Sequence, residues 1–205
     1  MEARQDWLDR RRAGIGASDA ASVIGLSPYR SNVQLWREKT GREAGKDISG
    51  LPYVQYGIQA EEHLRNLFAL DYPQYSVKYT PYEIIKNSEH PFILATLDGE
   101  LLDGERHGVL EIKTSTILNP AQWQQWKGRI PDHYYAQVCH QLLATGYEFS
   151  VLKAQLKYGD GASVRHYFFE REAMADDLVY LLNAELDFWK YVTDDVEPPL
   201  VLPAI

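Results

Sequence analysis

One cysteine, Cys139, stands among the 205 residues. A lone cysteine closes no disulfide within its chain and cannot build a cysteine-rich zinc or iron–sulfur site, so a reducing, cytoplasmic setting is the expectation. Long apolar runs are missing too. No stretch approaches the roughly 18 apolar residues of a membrane span, and the charged opening MEARQDWLDRRRAGIG has no apolar segment of signal-peptide length. No internal repeat appears, and with 45% hydrophobic and 24% charged residues there is no compositional case for disorder, collagen or a coiled coil. Positive charge is scarce: 21 Lys and Arg face 29 Asp and Glu, a net charge of −8. Judged by its sum, that balance counts against a nucleic-acid partner. Its distribution counts the other way, because Arg4, Arg10, Arg11 and Arg12 crowd the first twelve positions.

The patterning that remains fits one ordinary domain over residues 1–205, a length that buries about 70% of the unfolded surface. A short helix is expected to end near Arg12, followed by a turn at Gly14-Ile15-Gly16 and a helix from an N-cap at Ser18 through Ile24 to Gly25. A short helix over Val33–Lys39, a Gly-rich charged loop from Gly41 to Pro52, and a long helix from Tyr53 to Leu70 follow. Strands are expected over Tyr75–Ile85, Phe92–Thr96, Glu100–Asp103 and Val109–Thr114, as one meandering sheet. Helices then cover Pro120–Lys127 and Pro131–Thr145, strands Phe149–Tyr158 and Ser163–Phe169, and a final helix Arg171 to about Tyr191. This order implies an α/β fold with a central mixed sheet flanked by helices.

Chemistry concentrates in two short segments. Asp98 follows an apolar strand in ATLDGEL, and Glu111 and Lys113 lie two apart in GVLEIKT, so their side chains share one face while Ile112 points into the opposite, packed side. Two carboxylates on adjacent strands suit a hard cation such as magnesium, and a neighbouring ammonium can orient the nucleophile or offset phosphate charge. An E-x-K triplet arises by chance about once in a chain of this length. A half-buried strand with charges on its wet face would alternate in the same way. The upstream aspartate, about a hairpin's length away, weighs toward the catalytic reading, because such a site needs its second ligand there.

These segments resemble the core of the PD-(D/E)XK nucleases, and the surrounding ones resemble their phage-type alkaline exonuclease branch, the lambda exonuclease and YqaJ-like viral recombinase family. RRAGIGASDAASVIG is similar to that branch's N-terminal arginine-then-serine segment, YGIQAEEHLRNLF to its G-x-x-x-E helix and IPDHYYAQVCHQL to its Y-x-x-Q helix, with WREKTG a weaker match. The resemblance runs from about Arg11 to Gly146. It departs from the pattern at Leu97, where proline often precedes the aspartate. It implies that Asp98, Glu111, the Ile112 carbonyl and Glu61 hold metal, with Glu62 the neighbour that could replace Glu61. Lys113 would be the catalytic lysine, and Gln137 would position the attacking water or the scissile phosphate. Arg11, with Arg12 beside it, and Ser18 would grip the terminal phosphate, and a helix starting at Ser18 would itself favour an anion.

The function implied is a two-metal, Mg2+-dependent 5′-to-3′ exonuclease on double-stranded DNA ends with a 5′ phosphate, Mn2+ substituting. It would leave 3′ overhangs for recombination by single-strand annealing, as a homotrimeric ring working with an annealing protein, phage or prophage encoded, away from membranes. A restriction- or repair-type endonuclease shares the core, and a non-catalytic DNA-binding module is the rival of another class. His133 and His140, seven apart on one helix, read as solvated or as neighbours of Gln137 rather than as metal ligands. Cys139 reads as a buried small residue. Trp123, Trp126, Tyr134 and Tyr135 read as core, with stacking on bases the alternative.

Overall fold

The computed structural model describes residues 2–202, with side chains from Asp6 onward, so the side chain of Arg4 lies outside the described residues. Helix α1 (Glu2–Arg12) leads into strand β1 (Ile15–Gly16), a 3-10 turn at Ala17–Asp19 and the short helix α2 (Ala20–Val23). Helix α3 (Asn32–Lys39) opens on a capping box in which Ser31 accepts from the Gln34 N–H and the Gln34 side chain accepts from the Ser31 N–H. Helix α4 (Pro52–Asp71) starts on its proline. Strands β2 (Ser76–Lys78), β3 (Ile85–Lys86), β4 (Ile93–Ala95), β5 (Gly99–Asp103) and the long β6 (Arg106–Thr116) follow. Helix α5 (Pro120–Gln125), capped by Asn119, and helix α6 (Asp132–Thr145), closed by left-handed Gly146, lead to β7 (Phe149–Tyr158). Strand β8 (Gly161–Glu170) and helix α7 (Ala175–Thr193) come last.

The main sheet has the order β2-β5-β6-β7-β8. Strands β6 and β7 run parallel and the other neighbours antiparallel, with α5 and α6 forming the crossover that a parallel pair requires. Helix α4 covers one face, where Leu64 and Phe68 pack on Leu101, Leu110, Ile112 and Val151. Helix α6 covers the other, where Val138, Cys139 and Leu142 meet Val109, Leu152, Ala154 and Leu156, with α7 behind. Strands β6 and β7 are therefore buried on both faces, which explains their near-continuous apolar runs. The expected α/β architecture with a mixed sheet between helices is the one observed.

The single meander expected over residues 75–114 is not. Residues 79–84 turn instead of continuing a strand, with Tyr82 at φ 61°, and β3, β4 and β1 form a separate three-stranded sheet. The Asn87 side chain accepts from the N–H groups of Glu89 and His90, which folds β3 back onto β4. The expected turn at Gly14–Gly16 is strand β1, parallel to β4. A Cβ on Gly14 would lie 2.2 Å from the Phe92 carbonyl oxygen, so glycine is what permits this close pairing. Nor is Ser18 a cap. It lies exposed inside the 3-10 turn, and Asp19 Oδ2 accepts from the Gly16 N–H at 2.9 Å.

His140 is not solvated. It is fully buried, with Nδ1 2.6 Å from Glu185 Oε1 on α7 and Nε2 2.9 Å from the Leu94 carbonyl oxygen on β4. Burial alone would lower its pKa, but the Glu185 carboxylate more than offsets that and raises it above the usual histidine value. A raised folded-state pKa makes the pair's contribution complete below the unfolded value of about 6.5 and lost as pH rises through the folded value. Urea denaturation of the native protein should therefore show stability falling as pH rises above about 6.5. The double substitution His140→Leu with Glu185→Leu should flatten that slope, and an unchanged slope would remove the pair as its source.

Candidate active site

The site begins with a mismatch in strand length. Pairing between β5 and β6 ends at Gly99 opposite Leu110, while β6 continues to Thr116 against β7 alone. The edge of β6 beyond Leu110 is thus open. Asp98, in the connection between the small sheet and the large one, closes its first position: its Oδ2 accepts from the Ile112 N–H at 2.7 Å. The N–H and C=O of one strand residue face the same neighbour, so the Ile112 carbonyl opens onto this edge beside Asp98. The Ile112 side chain is buried against Leu64 and Phe68 of α4.

Glu111 and Lys113 project to the α6 face, as their spacing predicts. They do not form a wet face, since Glu111 is only 3% exposed. Its Oε1 lies 2.5 Å from Lys113 Nζ and accepts from Gln137 Nε2 at 2.6 Å, and its Oε2 accepts from Gln141 Nε2. Gln141 was not read from the sequence, although its position four residues after Gln137 puts both amides on one helix face. A buried carboxylate requires such donors, because an unpaired one costs several kcal/mol.

From the other side comes α4. A Cβ on Gly57 would stand 3.4 Å from Thr114 Oγ1, so the helix passes close over β6. Glu61, one turn on, is half-buried and Glu62 is exposed; of the two, Glu61 feels the charges of Glu111 and Lys113. Arg65, another turn on, donates through Nε to the Asp98 carbonyl and packs its guanidinium 3.7 Å from the Tyr79 ring centroid.

Charge in this space is unbalanced. Burial, then the Glu111 and Glu61 carboxylates, raise the Asp98 pKa well above its usual value, and Glu61 is raised by burial and by Glu111. Burial acts to lower the Lys113 pKa, but the carboxylates of Glu111 and Asp98 prevail and raise it, so the ammonium stays charged. Three carboxylates and a strand carbonyl are a hard oxygen donor set with surplus negative charge, which fits a divalent cation of the magnesium type. Among the described residues no three Asp, Glu, His or Cys side chains already stand at coordinating spacing. The Glu111 oxygens are engaged by Lys113, Gln137 and Gln141, and Asp98 Oδ2 by Ile112.

The N-terminal residues form a second group. Arg11 Nη2 lies 3.4 Å from Ser18 Oγ, and its guanidinium stacks 4.6 Å from the Trp7 centroid. Arg12 instead pairs with Asp9 on the exposed side of α1. Behind Ser18, Asp19 is buried between Arg30 and Lys39. Burial would raise its carboxyl, but those two cations and the Gly16 N–H hold it well below the usual range, which anchors the turn carrying Ser18. Of the remaining candidates, Cys139 is buried, with its thiol pushed up to about 12 mainly by desolvation. The Tyr135 hydroxyl is tied to Asp177, and Trp126 is core. Gln141→Leu should cost about 1.5–3 kcal/mol by removing a donor to a buried charge, read as a shift in urea midpoint at unchanged m-value; a shift below about 0.5 kcal/mol would show that Glu111 does not depend on it.

Residues 6–148 match the YqaJ-like viral recombinase domain family. The YqaJ protein of Bacillus subtilis (strain 168) is 30% identical over 188 residues, 91% of this chain and 55% of that one, so the chain spans about half the length of this curated relative. Among solved structures, the alkaline exonuclease LHK-Exo of Laribacter hongkongensis superposes with a TM-score of 0.68 at 17% identity, covering 94% of both chains. A phage-related exonuclease of Haemophilus somnus 129PT gives 0.56 at 13% identity, covering 89% of this chain and 96% of that one. At these identities the structures speak for a shared fold, and the match over most of the sequence shows that this chain belongs to the YqaJ-like viral recombinase domain family.

Proposed function

We propose that the chain is a divalent-cation-dependent nuclease that degrades one strand of duplex DNA from a 5′-phosphorylated end and leaves a 3′ overhang. The observation that carries this reading is the buried Glu111 carboxylate, held by Lys113, Gln137 and Gln141 on an open strand edge beside Asp98 and Glu61. A purely structural strand gains nothing from burying such a charge. Family membership and the exonuclease fold support the same chemistry.

Two Mg2+ ions, or Mn2+ in their place, would be held by Asp98, Glu111, Glu61 and the Ile112 carbonyl, and would supply a water of lowered pKa and positive charge against the scissile phosphate. Lys113, kept protonated by its carboxylate neighbours, donates to phosphate oxygen and offsets the charge that grows there. Gln137 fixes the orientation of Glu111 and offers its remaining amide groups to the attacking water. Arg11 and Ser18 grip the terminal phosphate, with Trp7 supporting the guanidinium. A homotrimeric ring around the DNA, a single-strand annealing protein as partner and a phage or prophage origin in a bacterial cytoplasm belong to this reading. A ring would place basic residues in a channel and reconcile a net charge of −8 with DNA binding.

Linear duplexes labelled at either end separate the alternatives. With magnesium, nucleotides should be released from the 5′-labelled end first, EDTA should stop release, and covalently closed circles should survive. Cleaved circles would mean an endonuclease, and no metal-dependent release at all would leave only DNA binding. Lys113→Ala should reduce turnover about 100-fold or more, the scale of losing one preorganised charge-stabilising donor, while duplex binding persists; turnover near the native rate would sink the assigned role. Dephosphorylated 5′ ends should be digested more slowly by the native protein, a difference that Arg11→Ala should abolish, and indifference of the native protein to that phosphate would reject the anchor.

A further inference from the structure

Arg65 joins two of the elements that carry carboxylates. Asp98 lies outside any strand, between the end of β4 at Ala95 and the start of β5 at Gly99, so no strand ladder fixes its backbone. Its side chain is held by the Ile112 N–H, and its carbonyl accepts from Arg65 Nε. Arg65 stands four residues after Glu61 on α4, and residues at that spacing share a helix face. One guanidinium therefore reaches from the helix that carries Glu61 to the backbone that carries Asp98.

A cation is an unexpected neighbour for a donor set suited to another cation. Like charges repel more strongly where water is sparse, so an arginine that only carried charge here would weaken metal binding. The contacts of Arg65 are those of orientation. Its Nε is spent on a backbone carbonyl, and its guanidinium lies 3.7 Å from the Tyr79 ring centroid. A planar fork set between an acceptor and an aromatic ring is held in one pose, which the compact ammonium of a lysine does not copy. Tyr79 belongs to the same junction: it lies within electrostatic reach of Arg65, Glu61 and Asp98, and it lines one small crevice with Leu97, the residue before Asp98.

We infer that Arg65, braced by Tyr79, is a positioning residue for the cation site, setting the separation of Asp98 and Glu61 so that both serve one metal centre. The inference rests on the metal-dependent reading and adds to it a side chain that holds no metal itself.

Mn2+ binding by the full chain without DNA, read from the loss of the free-ion electron paramagnetic resonance signal, tests this apart from catalysis. Arg65→Gln should weaken Mn2+ affinity about tenfold, the scale on which residues that orient metal ligands act, and Arg65→Lys should do the same although it keeps the charge. Tyr79→Leu, at a position 44% exposed, should weaken it in the same direction, and Tyr79→Phe should not. The Mn2+ concentration for half-maximal DNA hydrolysis should rise by matching factors. Urea midpoints measured in EDTA show which variants are folded; where an Arg65 variant is not, the two Tyr79 variants decide. Tighter or unchanged Mn2+ binding in folded Arg65→Gln and Tyr79→Leu overturns the inference, as does native-like binding by Arg65→Lys, which would leave charge as the whole role. DNA hydrolysis with native-like Mn2+ affinity in every variant fails the positioning role alone. Weakened Mn2+ binding in the variants of a protein whose native form hydrolyses no DNA fails the nuclease reading alone.

Discussion

Strand β5 pairs with β6 only as far as Gly99, and β6 runs on past Leu110 with one edge bare. A bare strand edge inside a folded protein exposes backbone groups that must find partners. Here Asp98 Oδ2 takes the Ile112 N–H, and the Ile112 carbonyl opens onto the same edge beside it. The other candidate groups gather around that gap. Helix α4 approaches it from one face with Glu61 and Arg65, and α6 from the other with Gln137 and Gln141. Had β5 continued, the space would have been filled by a ladder of backbone hydrogen bonds and the carboxylates would have been kept apart.

The second constraint is charge. Asp98, Glu111 and Glu61 share a partly dry space with one ammonium, and burial strengthens repulsion among them. The protein tolerates this through donors from α6, whose own position is tied to β4 and α7 by His140 and Glu185. Destabilising groups of this kind concentrate where chemistry is done. The acidic total of the chain therefore has a local meaning that its sum conceals.

Two further groups differ in chemistry. The Arg11–Ser18 pair rests on a turn held by Asp19, Arg30 and Lys39, an ion network built into the interior. The other is an aromatic cleft, lined by Tyr29, Trp126, His133 and Tyr134, that follows Lys113 along β6.

Much of this was legible from residues alone. Glu111 and Lys113 on one face follow from the two-residue repeat of a strand, α4 and α6 from helical periodicity with Pro and Gly at their ends, and the mixed sheet from the order of elements. What misled was local: Gly14–Gly16 looks like a turn because glycine is permissive, and only contact with the Phe92 carbonyl makes it a strand. Ser18 looks like a cap, but the turn already starts at Ala17 with Gly16 as its N-cap, which leaves Ser18 inside it. The burial of Glu111, the donor role of Gln141, the pairing of His140 with Glu185 across 45 residues and the division into two sheets depend on partners far apart in the chain. Local pattern determines the face on which a side chain lies, because backbone geometry repeats every 2.0 or 3.6 residues; what that face meets, and therefore whether a charge is solvated or held, is decided only when the distant segments pack.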